Sequence, residues 1–346
     1  VSWRRVRGHD PLIEAFDRAR RRGRLAHAYL FAGPPGIGKR LFAEELARAL
    51  LCENPPDERL EACDRCPACT QVEAGTHPDL FVVAQPEESV VIPIEMMREL
   101  SRSLSLKAAR GRGKVGIVDD ADSLNDPPSN HAGANAFLKT LEEPPPGSLL
   151  ILIGTRSDLQ LPTIVSRCQV VRFAPLSEAV VVELLRAQGI EDPAQVERLA
   201  RLSGGSLGQA QALADPALWE IRRKLLQGLA RPQPDTVALA REWMQFVEQA
   251  GKEAALHRRR AALGVRLLID ALNDALRLRL GAPPLSAEPD DVRLLQQLGE
   301  RADPDKLIEI LERCLDGDRH IDRRVQLVLV LEALLDALGQ NLTVKQ

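Results

Sequence analysis

The sequence predicts an α/β domain built on a parallel sheet in its first half and an all-helical second half. Three observations predict it. Continuously apolar runs such as 28–32, 114–118 and 149–153 alternate with helical patterns up to about residue 174; strands of that kind belong to a parallel sheet covered on both faces. A glycine-rich turn, Gly33-Pro34-Pro35-Gly36-Ile37-Gly38-Lys39-Arg40, follows the first run and opens into a helical pattern, the context of a phosphate-binding loop. Beyond Pro175 the apolar periodicity is helical throughout.

At 346 residues the chain is long enough for two or three domains. With 45% hydrophobic and 27% charged residues and a net charge of −3 it is an ordinary globular sequence, unsuited to wholesale coating of nucleic acid. Aromatic residues make up 3%, too few for base-stacking platforms. No run approaches the roughly 18 apolar residues of a membrane span. The opening residues Val1-Ser2-Trp3-Arg4-Arg5 lack an apolar signal segment. Both readings predict a cytoplasmic protein, in which six cysteines are thiols or metal ligands rather than disulfides.

In chain order, the first 24 residues carry eight arginines against Asp10, Glu14 and Asp17. Leu12, Ile13, Phe16 and Ala19 recur at helical spacing, so the charges read as the solvated face of an amphipathic helix rather than a nucleic-acid contact. The run Ala28-Tyr29-Leu30-Phe31-Ala32 is a buried strand. In the loop after it, glycines let backbone N–H groups approach phosphates at a helix N-terminus, and Lys39 supplies a point charge. The pattern calls next for a Ser or Thr whose hydroxyl binds Mg²⁺, and Arg40 stands there instead. Leu41, Phe42, Leu46, Ala49 and Leu50 then form a helical face beginning at Leu41 and ending near Cys52.

Cys63, Cys66 and Cys69 form a C-x2-C-x2-C run that brings three sulfurs together in a tight turn, and Cys52 can return as the fourth. Four thiolates predict a structural zinc site. The rival, an iron–sulfur cluster, continues with a Cys-Pro whose position here is Glu73. Cys168 and Cys314 are isolated and read as packing residues.

Leu80–Val83 and Val90–Ile92 read as short strands, and Met96, Met97, Leu100 and Leu104 space a helix. The strand Lys114-Val115-Gly116-Ile117-Val118 ends in Asp119 and Asp120, the arrangement that holds Mg²⁺ near phosphates and polarises a water. After Pro127-Pro128 comes a helix around residues 135–143, stopped by Pro144-Pro145-Pro146. The next strand, Leu149–Ile153, leads to Thr155, placed at the edge where such sheets bind ligands. Ser166-Arg167-Cys168 precedes a last strand, Gln169–Phe173. In the helical half Gly204-Gly205, Arg231–Pro234 and Ala282–Leu285 are interruptions, and Ile321–Leu338 is apolar over much of its circumference, a helix that must be buried.

Together these residues resemble the clamp-loader branch of the AAA+ family, associated with bacterial DNA polymerase III. The resemblance is carried by His27-Ala28-Tyr29-Leu30-Phe31, the four cysteines, His77-Pro78-Asp79, the run from Asn135 to Pro145, Ser166-Arg167-Cys168 and the apolar C-terminal helix. It implies a nucleotide-binding domain over 1–174 with a zinc module at about 52–69, a helical lid over 175–217, and a helical collar over 218–346 that packs five subunits into an open ring. It also implies partners: tau/gamma ATPase and delta subunits, a sliding clamp and primer-template DNA, with no membrane.

Three departures from the family's hydrolytic site stand in this chain. They are Arg40 for the metal-binding hydroxyl, Asp120 for the usual Glu, and Gly208 where Gly205-Ser206-Leu207 should precede a phosphate-sensing arginine. Losing one positioned charge in phosphoryl transfer costs several powers of ten in rate, so turnover is not expected. The nucleotide site implied is a degenerate one: Gly33, Gly36, Gly38, Lys39, Arg40, Asp119, Asp120 and Thr155, able to hold ATP or ADP without cleaving it. Arg167 is intact. In this family the arginine of the triplet enters the neighbour's ATP site, where a guanidinium stabilises transferring phosphate; from the residue alone, capping a helix or pairing with a local acid is the other reading. The function implied is a non-hydrolysing subunit that completes the ring and lends Arg167 in trans. The alternatives are an active ATPase motor of the tau/gamma type and a zinc-dependent nucleic-acid-binding module.

Overall fold

A computed structural model describes residues 3–56, 59–86, 91–124, 132–286 and 291–342. Two compact units divide the chain, Val1–Ala210 and Gln211–Gln346.

The first unit is organised on five parallel strands: β1 (Ala28–Ala32), β2 (Leu80–Val83), β3 (Lys114–Val118), β4 (Ser148–Gly154) and β5 (Gln169–Arg172), in the order β2-β3-β4-β1-β5. Around them lie α1 (Asp10–Arg21), α2 (Lys39–Leu51), α3 (Pro67–Glu73), α4 (Ile94–Ser105), α5 (Ala132–Glu142) and α6 (Pro162–Val165). Every residue of β1 and β3 is buried, because both faces of the sheet are covered. On one face Tyr29, Phe31, Ile117 and Ile151 pack with Phe16 of α1 and with Phe42 and Leu46 of α2. On the other, Leu30, Leu150 and Leu152 pack with Met97 and Leu100 of α4 and with Phe137 and Leu141 of α5. Period-2 alternation therefore sends large side chains into two cores, and the strands read as unbroken apolar runs. The unit continues through α7 (Glu178–Ala187) and α8 (Pro193–Leu202) into α9 (Leu207–Leu213).

The register fixes what shares an edge. Ala32 lies opposite Gly154, and Val118 opposite Leu152, so Gly33, Asp119 and Thr155 all emerge at the C-terminal edge. Tyr29 lies opposite Gln169, which puts His27 and Arg167, two residues earlier on each strand, at the N-terminal edge.

The second unit is helical: α10 (Pro216–Leu229), α11 (Thr236–Glu248), α12 (Ala254–Arg279), α13 (Val292–Glu300), α14 (Pro304–Asp322) and α15 (Leu327–Leu342). The 26-residue α12 packs against α13 and α14, and α11 packs against α15. Gly264 of α12 makes room for the buried Trp243; a Cβ there would stand 2.9 Å from the indole nitrogen. Among the described residues no helix is long and apolar enough to cross a membrane.

Several expectations shift. The helix after the glycine loop starts at Lys39 rather than Leu41, so Arg40 is already helical. The cysteine run is not a plain turn: Cys66 caps α3 by accepting from the Cys69 N–H, with Pro67 at the first helical position. Val91 and Ile92 are not in a strand, and Val90 lies outside the described residues, as do Pro127 and Pro128. The single apolar helix expected over 321–338 is two. Arg324 takes φ 61°, and Arg324 and Val325 donate to Ile321 and His320, a Schellman closure at a position glycine usually fills. Helix α10 begins at Pro216, and residues 175–210 fall in the compact unit that holds the sheet.

Candidate functional site

At the C-terminal edge β1 runs into the glycine loop. Gly33 is required by proximity, since a Cβ there would lie 2.5 Å from the Phe173 carbonyl. Gly36 and Gly38 have φ of 73° and 97°, and Gly38 caps α2, geometry that disfavours residues bearing a Cβ. Lys39, only 7% exposed, turns back on its own loop and donates to the carbonyls of Gly33 and Pro34, the latter at 2.6 Å. Burial pulls its pKa down, opposed by Asp122, Asp119 and Asp120.

The remaining loop carbonyls are occupied from elsewhere. Pro35 accepts from the Ser206 hydroxyl at 2.8 Å, Gly36 from the Gly208 N–H at 3.1 Å, and Ile37 from His9 Nε2 at 2.8 Å. A Cβ on Gly208 would stand 3.1 Å from the Gly36 Cα. The segment 206–208 thus sits directly on the loop, backbone against backbone.

Arg40 does what no hydroxyl could. Its Nη1 donates to Asp119 Oδ2 and its Nε to Glu44 Oε1, both at 2.9 Å. The guanidinium thus pairs with the acid that follows β3. Asp120 follows in the left-handed region, φ 59°, which Asp tolerates better than most residues. Thr155 is committed elsewhere: its N–H and hydroxyl both donate to Asp122 Oδ2, at 2.7 and 2.6 Å, and Gln160 Nε2 donates to the other oxygen. Asp122 was not singled out by the sequence, because it lies beyond the two acids that end β3. The structure thus brings together the loop, Lys39, Arg40, Asp119 and Asp120, with Thr155 joined to them through Asp122.

Arg167 stands apart. Following α6 and preceding β5, it is level with His27, six residues below Gly33 along β1, about 20 Å at strand rise. Its Nη2 donates to Glu142 Oε1, and its Nη1 to the Thr163 carbonyl and the Ser166 hydroxyl at 2.9 and 3.1 Å. His27 Nε2 bonds to the Leu141 carbonyl at 3.1 Å, fixing the end of α5 beside Glu142. The local-acid alternative for Arg167 is therefore met in this chain by Glu142, a pairing across 25 residues that periodicity does not reveal.

The four cysteines converge. Their sulfurs all lie within 4.8 Å of one another, at 3.5 Å for Cys66–Cys69, 3.9 Å for Cys52–Cys66 and 4.0 Å for Cys63–Cys69. A tetrahedral ion with Zn–S bonds of about 2.3 Å needs sulfurs roughly 3.8 Å apart, so the set fits a metal such as zinc. Backbone N–H groups of Cys63, Cys66 and Cys69 point at the sulfurs of Cys52, Cys63 and Cys66. Burial works against a Cys66 thiolate, but backbone donors from Cys69 and Glu53 outweigh it and bring the pKa down to about 6. Three of the four are buried and Cys63 is half-buried, an enclosed all-thiol set suited to structure rather than catalysis. Arg48 on α2 ties the module in, pairing with Glu45, with Asp64 at 3.4 Å and with Glu73 at 4.0 Å.

A family model described as DNA polymerase III, delta subunit, matches residues 8–177. The chain is similar to DNA polymerase III subunit delta′ of Pseudomonas aeruginosa, 33% identical over 326 residues, covering 91% of this chain and 92% of that one. The same subunit of Escherichia coli is 32% identical over 289 residues, covering 84% and 81%. The tau subunit of Escherichia coli is 34% identical over 219 residues, which cover 62% of this chain and 32% of that one.

Proposed function

The chain belongs to the DNA polymerase III subunit delta′ family, and from that membership we propose that it is a non-hydrolysing subunit of a sliding-clamp loader that lends Arg167 to an adjoining ATPase. One juxtaposition carries the reading: the glycine loop and Arg167 stand on opposite edges of one sheet, so this guanidinium cannot serve its own chain's loop. A guanidinium so placed would meet phosphate charge building in a transition state only at an adjoining subunit's site.

The home site supports the non-hydrolysing half of the reading. With Arg40 on Asp119, the acid has a permanent cation in place of an exchangeable metal. With Gly208 lying on Gly36, that position offers no side chain to a γ-phosphate. The loop N–H groups can still hold a phosphate, so ATP or ADP can bind without being cleaved. Cys52, Cys63, Cys66 and Cys69 would hold a zinc ion, which supplies folding energy to residues 52–73. Segment 175–217 serves as the lid, and 218–346 as the collar through which the tau/gamma and delta subunits assemble around clamp and primer-template DNA as a pentamer.

Purified alone, the chain shows no ATPase above background. Reconstituted with its partners, Arg167→Ala depresses clamp- and DNA-stimulated hydrolysis while assembly survives. Brisk turnover by the lone chain that disappears in Lys39→Ala, or full hydrolysis by the Arg167→Ala loader, defeats the proposal.

A further inference from the structure

The finger reading leaves one contact unexplained. Arg167 is not extended into solvent: its side chain is 32% exposed and is held on Glu142, which is 48% exposed. Nη1 is taken by Thr163 and Ser166, and Nη2 by Glu142. Nε is buried without a partner among the described residues. A guanidinium grips a phosphate through a fork of two parallel N–H groups, and Nη2 belongs to either fork it can offer. The carboxylate therefore sits on the nitrogen that the finger needs.

Glu142 also occupies an unfavourable place for an acid, the last turn of α5, where the helix carries partial negative charge. Its backbone is fixed there by the His27 bond to Leu141.

We propose that Glu142 is a holding residue: it retains Arg167 against its own subunit until an adjoining subunit presents a nucleotide phosphate, which takes the guanidinium from it. This rests on the finger reading above. An exposed ion pair contributes little, a bias of roughly two- to fivefold, so it restrains an unproductive encounter without blocking a productive one. No covalent step is involved, only exchange of one anionic partner for another.

The test is hydrolysis by the reconstituted loader, with and without clamp and primed DNA, for Glu142→Gln, Glu142→Ala and Arg167→Ala. Incorporation of each variant is verified by gel filtration. The expected result is that both Glu142 variants raise hydrolysis without clamp and DNA by about two- to fivefold, while Arg167→Ala lowers it in every condition. High salt should erase the difference between wild type and Glu142→Gln, since it screens the same pair. Unchanged hydrolysis in both Glu142 variants, with Arg167→Ala impaired, overturns the holding role and spares the finger. A fall in the Glu142 variants matching that of Arg167→Ala also overturns it, because Glu142 would then support the extended finger. Full activity in Arg167→Ala removes the finger reading itself.

Discussion

At the C-terminal edge of the sheet Arg40 lies against Asp119 and Glu44; at the N-terminal edge Arg167 lies against Glu142. Both are arginine–carboxylate pairs at a surface, of a kind that adds little stability. Their chemistry differs through what surrounds them. Arg40 is anchored at both ends of its fork to acids on its own unit, beside a lysine folded onto its own loop. Arg167 is held by one acid and by neutral oxygens, at an edge with no phosphate loop of its own. On the readings proposed above, the first pair closes a site and the second keeps a group in reserve.

The largest test of this contrast sets Lys39→Ala against Arg167→Ala in the reconstituted loader. Hydrolysis at the single neighbouring site should fall by about a thousandfold for Arg167→Ala, the usual worth of such a finger, and by less than about twofold for Lys39→Ala. Single-turnover measurements would expose the reverse order, which would break the comparison.

Metal removal comes next. Structural zinc contributes on the order of 10 kcal/mol to folding in small zinc peptides. Cys66→Ser, or chelation of the wild type, should abolish zinc content from about one per chain. Hydrogen exchange should quicken over residues 39–73, because Cys52 ends the helix that Lys39 begins, and stay slow over 137–167. Iron with visible absorbance in the purified protein would sink the zinc assignment, and uniform loosening would blur the separation of the two edges.

Asp122→Ala should cost about 1–3 kcal/mol, since Thr155 and Gln160 would lose their acceptor; a melting temperature equal to wild type would show the contacts to be idle. The smallest effect is reserved for Arg40→Thr. It releases Asp119 and restores a metal-binding hydroxyl, so the melting temperature should barely move. Magnesium-dependent ATP binding should strengthen in equilibrium titration while turnover stays at background, because Asp120 and Gly208 remain. Nucleotide binding no better than wild type would mean that Arg40 is not what keeps the metal out.

Much of this was legible in the residues because it rests on local signals. Five-residue apolar runs, glycines at a strand–helix turn, and cysteines three apart each state their geometry within one turn of chain. The α3 helix was hidden because it is seven residues long and starts just after a cysteine that serves as its cap. The break at Arg324 was hidden because no glycine or proline marks it. The pairing of Glu142 with Arg167 and the seating of Ser206 on Pro35 span 25 and 171 residues, and nothing in a single sequence pairs them. Likewise the strand that ends just before Thr155 is legible, but the engagement of Thr155 by Asp122 depends on how β4 meets the short turn after β3.

The glycine loop has two sets of backbone valences, and this chain uses them for different ends. Phosphates would take N–H groups, whereas Ser206, Gly208 and His9 take oxygens. An occupant could therefore enter or leave without disturbing the clasp. The seat of segment 206–208 on the loop rests on main-chain oxygens that a phosphate does not need, so in the proposed subunit it would be the same with the loop filled or empty.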